Sequence, residues 1–301
     1  MRRLGLVVAV VAALAGATAA TLAQPAPPVP QTPQVPNAPQ APQSPPQQSG
    51  GRSMVVIAYV EPTNPAHRAH YDRLRRREVL EQVREFLSPL RLPRLLTVRL
   101  QSCGRANAFY SGGTVTICYE FLDLTRSRAP SQTTAEGVTL EDAIVAGFVS
   151  VLLHEISHAV FDILDVPMFG REEDAADQLA GFVMQHFGSN VARRMIAAKA
   201  HLWDAAASKR GSRNKRDYAD THGTEYQRFY NILCMAYGHD PKTFADYVKK
   251  NILPPARARR CRIEYRKVEH AFRTLLMPHI DAAALERVRK VEWLRPDDGR
   301  P

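Results

Sequence analysis

His154-Glu155-Ile156-Ser157-His158 sets two imidazoles four residues apart with a carboxylate beside the first. On a helix, positions i and i+4 share a face, so both rings can reach one metal ion. Glu155 lies next to that stripe, where it can take a proton from a metal-activated water without being a ligand. Zinc suits this chemistry: it lowers the pKa of a bound water toward ~7 and polarises a carbonyl. The motif sits inside an apolar stretch, Val145 to Leu164, where three ionisable side chains are costly unless they are used.

A catalytic zinc needs a third protein ligand. Asp162 shares the helical face but lies eight residues from His154, too far along the axis at ~1.5 Å per residue. The ligand must come from another element. Residues 170–177 are acid-rich and open the next helix, and Glu173 and Asp177 are four apart on one face. One of them can bind metal while the other orients a histidine through its free N–H. Glu172 and Asp174 are accounted for as first-turn carboxylates favoured by the helix dipole.

These residues resemble the gluzincins, the thermolysin-like zincins, in which H-E-x-x-H is followed by a helix bearing E-x-x-x-D. The resemblance implies Glu173 as third ligand and Asp177 as partner of a ligand histidine. The interval from His158 to Glu173 is shorter than in thermolysin, so the connecting loop must be tight. Phe161 and Leu164 stand where the metzincin pattern has Gly and a third His. Asn107-Ala108-Phe109-Tyr110 resembles the thermolysin edge strand, which implies that Asn107 and Ala108 pair with substrate backbone. Residues 54 to 290 also resemble a bacterial family catalogued as metallopeptidases without an assigned substrate. The matching stretches include Cys103-Gly104, Cys118-Tyr119-Glu120 and the run Gln227 to Cys234. For the donor to the developing oxyanion, His222, Tyr218 and Arg228 are candidates, and His222 beside Asp220 is the first choice. The competing account of His222 is a surface histidine at a helix start.

The elements that must position these residues define an α+β, zincin-like fold. A small N-terminal mixed sheet with a hairpin edge strand precedes the active-site helix and a mostly helical C-terminal lobe. Met54 to Val60 and Leu95 to Leu100 read as strands, with a helical stretch from Pro62 to about Leu87 between them. Ser111-Gly112-Gly113 marks a hairpin between Asn107–Tyr110 and Thr114–Phe121, the second arm alternating through Val115, Ile117, Tyr119 and Phe121. Thr139 with Asp142 starts the active-site helix, which runs to about Leu164. Glu172 to Phe187 forms the next, stopped by Gly188. The remainder is mostly helical, broken at 209–216 and at Pro254-Pro255.

The N-terminus carries Arg2 and Arg3, an apolar run from Leu4 to Ala23, and small residues at Ala17-Thr18-Ala19. Residues 1–23 read as a signal peptide, the alternative being an uncleaved membrane anchor. No second stretch of spanning length is expected. Residues 24–52 form a Pro/Gln-rich linker, and 53–301 the metallopeptidase-like domain. Export, to the periplasm or outside the cell, makes disulfides the default for the four cysteines. Of three connectivities the local one, Cys103–Cys118 with Cys234–Cys261, is expected. The net charge of +10 favours anionic partners, a membrane surface among them, and nucleic acid is not the expected one. The leading expectation is Zn2+-dependent hydrolysis of peptide bonds in a peptide or protein substrate, with Glu155 as general base. The alternative is a catalytically inactive zincin that binds peptide or envelope material.

Overall fold

Three short apolar segments, Val55–Tyr59 (β1), Leu96–Gln101 (β2) and Thr114–Cys118 (β4), run parallel in a computed structural model that describes residues 54–294. The expected signal peptide (1–23), the linker (24–52) and Ser53 lie outside the described residues. Ala108–Ser111 (β3) adds antiparallel to β4, giving the order β1-β2-β4-β3 with β3 at an edge. In β2, Leu96, Val98 and Leu100 are buried and the residues between them partly exposed, as period two dictates. Gly112 and Gly113 turn the β3–β4 hairpin at φ 52° and 78°, a two-residue turn that needs positive φ at both positions.

β4 ends at Cys118, three residues before the expected end. Tyr119–Arg128 is a helix (α3), and Tyr119 is fully buried in its first turn. The alternation of Tyr119 and Phe121 with polar residues thus continues across a change of structure. Two local ties turn the chain out of the sheet: the disulfide Cys103–Cys118, and the Glu120 carboxylate accepting the Cys103 and Gly104 amides. The helical stretch after β1 also divides, into Arg68–Arg76 (α1) and Val79–Phe86 (α2), at Glu78 with φ 50°.

The long helix Leu140–Ile163 (α4) begins with a reciprocal cap. The Thr139 hydroxyl accepts the Asp142 amide, and the Asp142 carboxylate accepts the Thr139 amide. By length and composition α4 could cross a membrane, which the sequence reading did not allow for. Its most apolar window is 78% buried within the fold, so it is a core helix whose apolar surroundings are protein.

Glu172–Met184 (α5), Ser189–Arg210 (α6), Glu225–His239 (α7), Ala245–Lys249 (α8), Pro255–Ala271 (α9) and Ala282–Arg289 (α10) make up the helical lobe. α7 and α9 approach so closely that a Cβ on Gly238 would stand 2.4 Å from the Cys261 carbonyl oxygen. The disulfide Cys234–Cys261 joins the same two helices. By chain-entropy arguments, the two disulfides, spanning separations of 15 and 27 residues, each contribute about 3–4 kcal/mol. Both are compatible with an oxidising extracellular or periplasmic setting.

Candidate metal centre

His154 and His158 lie on one face of α4 against the first turns of α5. His154 is 5% exposed and Glu155 7%. His154 Nε2 lies 3.2 Å from His158 Nε2 and 3.1 Å from Glu173 Oε2, and His158 Nε2 lies 3.4 Å from the same oxygen. A tetrahedral zinc with bonds of about 2.0–2.1 Å requires donor–donor distances of about 3.3–3.4 Å. The three atoms therefore form a triangle of the right size for one face of that tetrahedron.

The outer nitrogens fix the character of the inner ones. His154 Nδ1 faces Asp177 Oδ1 at 3.0 Å, and His158 Nδ1 faces Glu172 Oε1 at 2.7 Å. With the proton on the nitrogen that faces Asp177 or Glu172, Nε2 of each ring is free to bind a metal. Two ring nitrogens and a carboxylate oxygen then converge within 3.4 Å of one another, and His222 Nε2 also reaches that oxygen. Such a set suits a cation. Burial opposes protonation of His158, yet the Glu173 and Glu172 carboxylates outweigh it and push its pKa up to about 9, so the carboxylates around the ring favour a positive charge there. Burial likewise raises Glu173, but hydrogen bonds from His154, His158 and His222 hold it well below the usual carboxylate range. Glu155 is pushed up by burial, partly offset by His154 and His158. The other close group of candidate ligands among the described residues is Cys103, Cys118 and Glu120, whose sulfurs are joined in a disulfide.

Glu172 is more than a first-turn carboxylate, which is all the sequence reading made of it. The tight loop between α4 and α5 turns it onto His158. Arg228 stands as a candidate oxyanion donor in the sequence, but here one edge of its guanidinium holds Asp177, with Nε and Nη2 each donating to a carboxylate oxygen at 2.5 Å. Its guanidinium also lies 4.0 Å from the centre of the Trp203 ring. α7 and α6 thus brace the carboxylate that braces His154. Burial raises Asp177, and His154 and Arg228 more than reverse that. Asp177→Asn should weaken metal binding about 10- to 100-fold, measured by competition with a chromophoric chelator. Unchanged affinity would remove Asp177 from the support of the centre.

Tyr218 is 66% exposed, on the loop between α6 and α7. His222 instead reaches the centre: its Nε2 is 2.9 Å from Glu173 Oε2, its Nδ1 is 3.2 Å from Asp220, and its ring lies over that of His154.

β3 is fixed beside α4 by Tyr110, whose hydroxyl donates to Asp162 Oδ2 at 2.5 Å. Arg94 donates to the Asp162 carbonyl at 2.6 Å. Asp162 is therefore a tether for the edge strand. Asn107 accepts the Cys118 amide and Ala108 pairs with Ile117, so the ladder with β4 occupies one side of this segment. The other side is a sheet edge on which an extended chain can add.

Residues 59–276 match the model of a protein family described as "Putative metallopeptidase". No curated protein and no solved structure matches the chain.

Proposed function

The chain belongs to this metallopeptidase family, and from that premise we propose that it hydrolyses peptide bonds with zinc, in the manner of the gluzincins. The observation that carries the reading is the convergence of His154 Nε2, His158 Nε2 and Glu173 Oε2, three atoms of metal-ligand type, beside the buried carboxylate of Glu155. These three residues would hold the ion. What zinc supplies in such a donor set is Lewis acidity, which polarises a carbonyl and makes water a nucleophile near neutral pH.

The protein's own groups do the rest. Asp177 and Glu172 hold the two imidazoles in one tautomer and orientation. Glu155 takes the proton of the attacking water and delivers it to the leaving amine, a transfer favoured by a carboxyl whose proton affinity burial has raised. His222, across Glu173, donates to the developing oxyanion. The edge of β3 at Asn107 and Ala108 pairs with the substrate backbone and sets the scissile bond in register. The setting is outside the cytoplasm.

Incubating the zinc-loaded protein with a mixed peptide library should give discrete, chelator-sensitive cleavages. A second reading, a zincin that binds peptide or envelope material without turnover, draws on His222 Nε2 facing Glu173 Oε2 at 2.9 Å, which engages the proposed donor. Stoichiometric zinc with no cleavage of any library member would favour that reading.

A further inference from the structure

Beside His222 the surface folds into a cavity of about 230 Å³ between the end of α3, the last turns of α6 and the start of α7. Arg128, Trp203, Arg210, Arg213 and Arg228 line it, together with the carboxylates of Asp217, Asp220 and Glu225; Asp220 faces His222. The cations are not partnered alike. Arg228 is matched by Asp177. Arg210 and Arg213 both close on Glu225, with Asp217 3.8 Å from Arg210. Among the described residues no carboxylate pairs with Arg128. Burial, and then the neighbouring Arg210, push its guanidinium toward the neutral form. The same cations act on Lys199, whose amine stands 4.1 Å from the centre of the Trp203 ring. Burial comes first there, then Arg228; Asp177 opposes them and Arg128 adds to them, and the pKa falls to about 7. Nearby, Lys209 donates to the Ser127 carbonyl, bringing another cation to the same corner.

An arginine in the last turn of a helix is ordinarily explained by the helix dipole. Arg128 occupies that position in α3, but it lines a cavity and faces a like charge. A half-buried guanidinium without an anion is a costly arrangement that a bound anion would relieve. Its planar fork suits a carboxylate in particular.

We propose that this cavity is a specificity subsite that takes a carboxylate of the peptide substrate, with Arg128 as its anchor. The inference rests on the peptidase reading and deepens it: His222 lies at both the cavity and the metal centre, so a residue close to the scissile bond would place its acidic group there. Two sources carry this chemistry, an acidic side chain and the carboxylate of a chain terminus.

The experiment uses zinc-loaded full-length protein and C-terminally amidated peptide pairs with Glu or Gln at each position around a cleaved bond. At one position Glu should exceed Gln in kcat/KM by about tenfold to a hundredfold, the range for a hydrogen bond to a charged group. Arg128→Gln should bring that ratio close to unity, and Arg128→Lys should keep part of it. A preference for free-acid over amidated peptides that vanishes with Arg128→Gln would assign the terminal carboxylate instead. No preference, or one that survives Arg128→Gln, overturns the proposal. If no peptide is cleaved, the peptidase reading fails separately, and the subsite is read by tryptophan fluorescence on titration with a Glu peptide and its Gln counterpart. Binding of the Glu peptide alone, lost in Arg128→Gln, upholds the subsite; equal responses overturn it.

Discussion

Glu155→Gln should lower kcat for peptide cleavage by about a hundred- to ten-thousand-fold while leaving the bound zinc unchanged, the loss expected when a general base is removed. The two halves of that expectation have separate grounds. Glutamine has the shape of glutamate, so the packing of a side chain that is only 7% exposed is preserved. The metal-facing atoms belong to His154, His158 and Glu173, so removing the Glu155 charge leaves all three donors in place. A carboxamide can still hydrogen-bond to a water but cannot take its proton. KM should therefore change little, and the loss should fall on the chemical step. Steady-state kinetics with elemental analysis of the same samples make the measurement. A variant that keeps more than a tenth of the wild-type kcat would assign the proton transfer elsewhere.

The legible part of this protein is what local spacing encodes. The two histidines and Glu155 could be placed because a helical period puts i and i+4 on one face, and α4 starts where Thr139 and Asp142 cap each other. The α+β arrangement, with an edge hairpin ahead of the active-site helix, follows from strand alternation and the Gly112-Gly113 turn. Glu173 and Asp177 were narrowed by spacing to a ligand and an orienting partner, and the likeness to gluzincins divided the roles.

The parts that were not legible depend on contacts between distant segments. Glu172 could not be separated from an ordinary first-turn carboxylate, because its orientation toward His158 is set by the path of the α4–α5 loop. Arg228 lies 51 residues beyond Asp177, and nothing local in either segment signals their pairing. Tyr119 was assigned to a strand because a buried aromatic fits the alternation equally well at the start of a helix. The sequence also gives no sign that Arg128 lacks an anion, since its surroundings are assembled from α3, α6 and the segment leading into α7.

The central claim is that three side chains from two helices hold one zinc ion. Glu173→Ala removes the only anionic donor of the triangle and leaves two imidazoles, which is too few for a catalytic zinc site. It also removes the carboxylate that His222 faces. The measurement is zinc content after reconstitution with limiting metal and removal of the unbound ion, for wild type and Glu173→Ala side by side. The account predicts about one zinc per chain in the wild type and little or none in the variant. Zinc kept by the variant would move the third ligand to Glu172 or elsewhere, and a wild-type chain that takes up no zinc would contradict the metal centre itself.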